Sequence, residues 1–161
     1  MPKPRSEMYA PASPFSRPIP SAGSRSLSGV YRQVGVETSV SGASPHELVR
    51  LLINGYFDAL TEAKGALAAC NIELKGRALS RAIRIVEEGL KCSLDTAMGG
   101  EVAQNLNMLY GYISLRLTQA NLKNDTAAID ECVQLMTPIR DAWQGIASEA
   151  NTTPINKEVV A

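Results

Sequence analysis

The chain has 161 residues, 45% of them hydrophobic and 5% aromatic, and its sixteen Lys and Arg cancel its sixteen Asp and Glu. Zero net charge removes the basic excess that nucleic-acid binding needs. No window approaches the roughly 18 apolar residues of a membrane span, and the start, Met-Pro-Lys-Pro-Arg-Ser-Glu, lacks the apolar core of a secretory signal. One cytosolic domain with a tail, no membrane insertion and no nucleic-acid partner is the expectation.

Residues 1–29 hold six of the nine prolines, seven serines and two glycines, 15 of 29 positions in residue types that oppose helix and bury little. This leader is expected to be disordered. Lys3, Arg5, Arg17 and Arg25 against Glu7 give it +3, so the remaining chain carries −3. Between it and the first helix, residues 30–43 form a short capping segment whose aromatic and aliphatic cluster is Tyr31, Val34 and Val36, with Val40 beyond.

From Ser44 onward apolar residues recur at three and four, the period of a helix. The first helix is expected to open with Ser44 as cap, Pro45 in the first helical position and Glu47 completing a capping box. Its apolar face reads Leu48, Leu52, Tyr56, Ala59, Leu60, Ala63, Leu67 and Cys70, with Asn71 as the stop. A second helix carries Leu79, Ile83, Val86, Leu90, Leu94 and Ala97 inward and ends at Gly99-Gly100. The third begins at Glu101 and runs to about Leu122. Asn124-Asp125 caps a fourth, with Ile129, Cys132, Val133, Met136, Ile139 and Trp143 inward and a kink at Pro138.

Four such helices joined by short connections predict an all-α fold, an antiparallel up-down-up-down four-helix bundle over residues 44–148 with a flexible tail, 149–161. Cys70, Cys92 and Cys132 have no Cys-x-x-Cys spacing and read as small buried hydrophobes. His46 is the single histidine. It supplies neither the paired Glu-x-x-His motifs of a di-iron bundle nor, without a third group to orient it, the base of a nucleophilic site. Glu87 and Glu88 point about 100° apart and read as surface charge between Arg84 and Lys91. No catalytic site, metal or cofactor is expected.

The third helix is unusual. On a 3.6-residue wheel Val102, Leu106, Leu109, Tyr110, Ile113, Leu117 and Ala120 share one arc, wide enough to serve the core. Met108, Tyr112, Leu115 and Leu122 share a second arc, roughly 155° away. Both sets cannot face the same core. A weaker stripe on the second helix, Ala78, Ile85 and Cys92, is expected to flank the same shallow groove. Soluble monomers rarely leave a long apolar strip wet. The alternatives are a seat for a partner's hydrophobic segment or a surface covered by this chain or by a second copy. The candidate self-cover is the cluster from Tyr31 to Val40, and it could be displaced by a ligand with more to bury.

Several strings, in order, resemble one family. They are Tyr31-Arg-Gln-Val-Gly-Val36, Ala43-Ser-Pro-His-Glu-Leu-Val49, Asn71-Ile-Glu-Leu-Lys-Gly76, Ser80-Arg-Ala-Ile83, Gly89-Leu90, Gly99-Gly-Glu-Val-Ala-Gln-Asn-Leu106, Leu109-Tyr110, Ala120-Asn-Leu-Lys-Asn-Asp125 and Asp141-Ala-Trp143. Their succession resembles the bacterial flagellar secretion chaperone FliS family from Tyr31 to about Ile146. The resemblance implies a cytosolic, non-enzymatic export chaperone. It would bind the disordered C-terminal region of flagellin, prevent premature polymerisation and assist delivery to the type III export apparatus through its gate component FlhA. It also implies that the segment bearing Tyr31 lies over part of the binding surface when flagellin is absent. Tyr31, Val34, Ile85, Met108, Tyr112, Leu115 and Leu122 are thus the expected flagellin-binding residues. The runner-up is a helical adaptor or regulator, such as an anti-sigma protein, that holds a different protein in the same groove. The Pro/Ser-rich leader departs from the family pattern.

Overall fold

The computed structural model describes residues 43–152, with side chains to 149. The leader, most of the capping segment with Tyr31 and Val34, and the end of the tail lie outside the described residues. Within them the chain is helical: α1 (Pro45–Ala68), α2 (Ile72–Arg84) continuing as a π-helical stretch (Ile85–Lys91), α3 (Gly100–Lys123) and α4 (Thr126–Thr152). α4 passes through Pro138 and continues beyond residue 148.

The connections explain why the helices stop. Ser44 caps α1 by accepting from the Glu47 backbone N–H at 3.2 Å, but the Glu47 carboxylate turns to Arg50 instead of closing a capping box. The left-handed residue after α1 is Cys70, not Asn71. Asn71 starts the next helix, its Oδ1 accepting from the Leu74 N–H at 3.0 Å. After Lys91 the chain leaves the helix six residues earlier than expected, so Ala97 is exposed instead of inward. The Asp95 carboxylate gathers the N–H groups of Ala97 and Met98. A Cβ at Gly99 would lie 2.5 Å from that of Ala103 and 2.8 Å from the Asp95 carbonyl oxygen, so only glycine fits this turn. Asn124 takes the left-handed position after α3, and the Asp125 carboxylate caps α4 through the Ala128 N–H.

Cross-helix bonds fix the antiparallel order. His46 meets Trp143, Tyr56 meets Cys132 and Lys64 meets Asp130, so residue numbers rise on α1 as they fall on α4. Arg81 reaches Glu62 between α2 and α1, and Arg116 reaches Glu131 between α3 and α4. The core that closes around these pairs contains Leu52, Tyr56, Leu60, Leu79, Ile113, Leu117, Ile129 and Met136, all fully buried.

Three expectations need correction. Ala78 and Ile85, assigned to an outward stripe, are buried in the core, Ile85 completely. A step of seven marks a buried seam as readily as an exposed one. The inward arc of α2 is rotated by roughly 60° from the expected one, and Lys75 occupies its middle. Lys75 is nevertheless satisfied: its ammonium donates to the Asn121 carbonyl oxygen at 2.7 Å and to Asn124 Oδ1 at 2.8 Å, closing the C-terminal end of α3. Cys70 and Cys92 lie in turns and are exposed, and only Cys132 is a buried hydrophobe; burial pushes its thiol up to about 12. Val102, expected inward, is 69% exposed because its turn of α3 extends past the closed part of the core.

Ile113→Ala empties a fully buried site on α3 and is expected to cost about 2–5 kcal/mol, read as a lower midpoint in denaturant with an unchanged slope.

Candidate binding surface

α3 packs against α2 with its π-helical continuation and against α4, and no described helix crosses its remaining face. On that face Met108 is 66% exposed, Tyr112 44%, Leu115 55% and Leu122 80%. The strip expected from the wheel is therefore at the surface along most of the helix. From Met108 to Leu122 it runs about 21 Å at the helical rise. The second stripe of the expected groove is absent, since Ala78 and Ile85 are core residues and Cys92 sits in the turn. The strip belongs to α3 alone, on a convex surface bordered on the α4 side by polar residues.

That border is fixed by charge. The Tyr112 hydroxyl donates to Glu131 Oε1, while Arg116 Nε and one terminal nitrogen donate to Glu131 Oε2 at 2.8 and 2.6 Å. The Tyr112 hydroxyl first, and then the Arg116 guanidinium, hold the Glu131 carboxyl below the usual carboxylate range. The same contact raises the Tyr112 phenol. Tyr112 thus keeps its ring in the strip and its hydroxyl on α4, an orientation that leaves the ring face available.

A second apolar feature lies at the end of the bundle where α1 begins. Pro45, Leu48, Val49 and Ile53 of α1, Leu90, Ser93 and Leu94 after α2, Leu106 and Tyr110 of α3, and Ile139 and Trp143 of α4 enclose a cleft of about 440 Å³. It exists because the second helix ends at Lys91 while α3 and α4 run on. Its rim is held by a reciprocal clasp. Trp143 Nε1 donates to the His46 carbonyl oxygen at 3.0 Å, His46 Nε2 lies 3.2 Å from the Trp143 carbonyl oxygen, and the two rings stack with centroids 4.7 Å apart. Sequence reasoning placed most of these residues in a closed core and so missed the cleft. The available signal was Ser93, Asp95 and Thr96 ahead of Gly99-Gly100, residue types that favour turns over helix interiors. Burial raises the Tyr110 phenol, whose ring forms part of the wall.

These two apolar surfaces, one cleft and one strip, have the character of a seat for a hydrophobic chain. The family model described as flagellar protein FliS matches residues 28–150. The chain belongs to the FliS family. It is 46% identical over 121 residues to the flagellar secretion chaperone FliS of Salmonella typhimurium, covering 75% of this chain and 90% of that protein. With FliSB of Pseudomonas aeruginosa, another flagellar secretion chaperone, identity is 42% over 73% of this chain and 92% of the relative. With FliS of Bacillus subtilis it is 36% over 70% and 84%. Residues 1–27 fall outside the family match. No helix among the described residues is long and apolar enough to cross a membrane.

Because the Glu131 pKa is lowered in the folded state, its contribution to stability is present above the unfolded carboxyl value and is lost as pH falls through the folded one. Glu131→Gln should therefore lower the thermal midpoint at pH 7. The gap from wild type should close as pH drops below about 4, measured by circular dichroism across the pH range.

Proposed function

We propose that this FliS-family protein is a cytosolic flagellar export chaperone that binds the disordered C-terminal region of flagellin, prevents its premature polymerisation and assists its delivery to the type III export apparatus through FlhA. The observation that carries the reading is the strip of Met108, Tyr112, Leu115 and Leu122, which the helices among the described residues leave exposed. A polymerising flagellin tail needs an apolar surface that is not another flagellin, and the strip offers one along α3. The cleft beside Trp143 offers a second, better enclosed seat at the end of the bundle.

Ile85 is excluded from the seat by its burial, and the cleft residues Leu106, Tyr110 and Trp143 take its place. Tyr31 and Val34 enter the proposal through the covalent geometry of the chain. Their segment joins the bundle at Ser44 and Pro45, and Pro45 is itself part of the cleft wall. A tether of about ten residues gives the segment an effective concentration that a separate molecule must overcome. In this reading it competes with cargo for the cleft and yields to a cargo that buries more.

The energetics favour holding without locking. Covering 1,000 Å² of apolar surface is worth on the order of 25 kcal/mol gross, and ordering a disordered cargo consumes much of it. No cluster of metal-ligating side chains occurs among the described residues, and the mechanism proposed for the seat is physical exclusion of cargo from its own kind.

The double variant Met108→Glu, Leu115→Lys replaces two strip residues that make no core contact. It should lose binding to a synthetic flagellin C-terminal peptide by at least about tenfold in calorimetric titration, with the helical circular dichroism spectrum and melting temperature retained. Wild-type affinity in a folded double variant would place the cargo elsewhere.

A further inference from the structure

The apolar strip on α3 is interrupted at one point, and the interruption is polar. Met108, Leu115 and Leu122 stand at intervals of seven, and Tyr112 begins a second series of the same step that lands on Gln119. At about 100° per residue Gln119 falls inside the arc of the apolar four, between Leu115 and Tyr112, and midway along the roughly 10 Å of helix from Leu115 to Leu122. Steps alternating between four and three make a helix seam, whose facing chain is itself a helix. An aliphatic residue at this position would join Leu115 to Leu122 without a break. The sequence places a half-buried carboxamide there instead.

The orientation of that carboxamide is fixed by its neighbours. A guanidinium only donates, so the hydrogen bond from a terminal nitrogen of Arg116 to Gln119, at 3.0 Å, turns the amide oxygen toward Arg116. The Gln119 NH2 group is left with no hydrogen-bond partner among the described residues. Arg116 is itself held, because its Nε and its other terminal nitrogen donate to Glu131 Oε2 on α4 at 2.8 and 2.6 Å. Glu131 takes the Tyr112 hydroxyl on its second oxygen. One line of hydrogen bonds thus joins Tyr112, Glu131, Arg116 and Gln119 and ends on amide donors at the strip. In the uncovered strip water takes those donors. A chain lying over Gln119 removes that water and must supply an acceptor or leave the donors unpaired.

We infer that Gln119 is a specificity-determining residue of the strip, selecting a cargo helix that carries a side-chain hydrogen-bond acceptor, such as Asn, Gln, Ser or Thr, opposite it and disfavouring one whose seam is apolar throughout. The inference rests on the reading of the strip as the cargo seat. A single polar residue in an otherwise apolar seam sets register at a cost in affinity, because every other alignment buries an unpaired amide. The strip has no second wall to fix a ligand's position along α3, so Gln119 is what distinguishes one alignment from the next. Arg116 and Glu131 act through it as positioning residues.

The test uses the full chain and three dye-labelled peptides followed by anisotropy: the flagellin C-terminal peptide, an amphipathic helix of about three heptads with leucine at every seam position, and the same helix with one asparagine at its central seam position. Gln119→Leu extends the apolar strip, so a seat without selection would bind all three more tightly. Selection by Gln119 gives the opposite sign: Gln119→Leu should weaken the flagellin peptide about tenfold. It should also shift the ratio of affinities for the two designed helices toward the all-leucine one by about tenfold or more. Arg116→Lys, which keeps the charge beside Glu131 without the fork that reaches Gln119, should shift that ratio in the same direction by about threefold. Circular dichroism should report wild-type helical content in both variants. An unchanged ratio, tighter flagellin binding by Gln119→Leu, or failure of both designed helices to bind would overturn the proposal. Failure of the flagellin peptide alone would overturn the cargo assignment, and the two designed helices would still decide the role of Gln119.

Discussion

The governing constraint is that a helix in a four-helix bundle has two neighbours and therefore one buried arc. α3 satisfies that constraint with Tyr110, Ile113, Leu117 and Ala120, and this set completes the core. Whatever its sequence places on the opposite arc is left to water. Polar residues there would make α3 an ordinary surface helix. Met108, Tyr112, Leu115 and Leu122 make it a surface with unspent hydrophobic free energy. The outer arc of α2 follows the ordinary pattern and carries charges of both signs, Glu73, Arg77, Arg81, Arg84 and Glu88.

Polar clasps at both ends of the bundle make this division stable. At one end the buried Lys75 ammonium donates to the Asn121 carbonyl oxygen and to Asn124 Oδ1, tying α2 to the C-terminal end of α3. At the other, His46 and Trp143 exchange ring and carbonyl contacts between α1 and α4. Midway, Tyr56 donates to the Cys132 carbonyl oxygen at 3.0 Å, and burial raises the phenol far above its ordinary value, so the hydroxyl remains a donor. These directional bonds fix the register of helices whose apolar contacts alone tolerate sliding. They also fix one wall of the cleft, where the Trp143 ring stacks on His46.

Helix number, order and the outward strip of α3 were legible in the sequence because a long apolar period at 3.6 survives small errors of phase. The phase of α2 was not legible, and a single residue explains why. Lys75 sits at the centre of the true inward arc, and a lysine there argues against burial unless its partners are known. Those partners, Asn121 and Asn124, are more than forty positions away and belong to another helix end. An arc drawn through Leu79, Ile83, Val86, Leu90, Leu94 and Ala97 left Ala78 and Ile85 at the surface, which produced a groove that does not exist. The cleft was hidden for a related reason. Leu90, Leu94, Leu106 and Trp143 carry a core pattern, and only the early end of α2 at Lys91 leaves their shared space unfilled. Periodicity reports which residues are apolar and not whether the neighbouring helix is long enough to cover them.

The two apolar seats differ in a way that bears on release. The cleft is enclosed by four helices and a rigid ring pair, so an occupant there loses most of its water and most of its freedom. The strip is convex and exposed, and a chain lying along it exchanges contacts one residue at a time. A cargo that uses both gains from tethering, since anchoring in the cleft raises its local concentration along α3. The gain is reversible by the same arithmetic: emptying the cleft alone removes the anchor and leaves only the weaker, stepwise contacts of the strip. Tight capture and timely release can then reside in one small bundle without a bond being made or broken, provided the anchor and the strip are filled by the same chain.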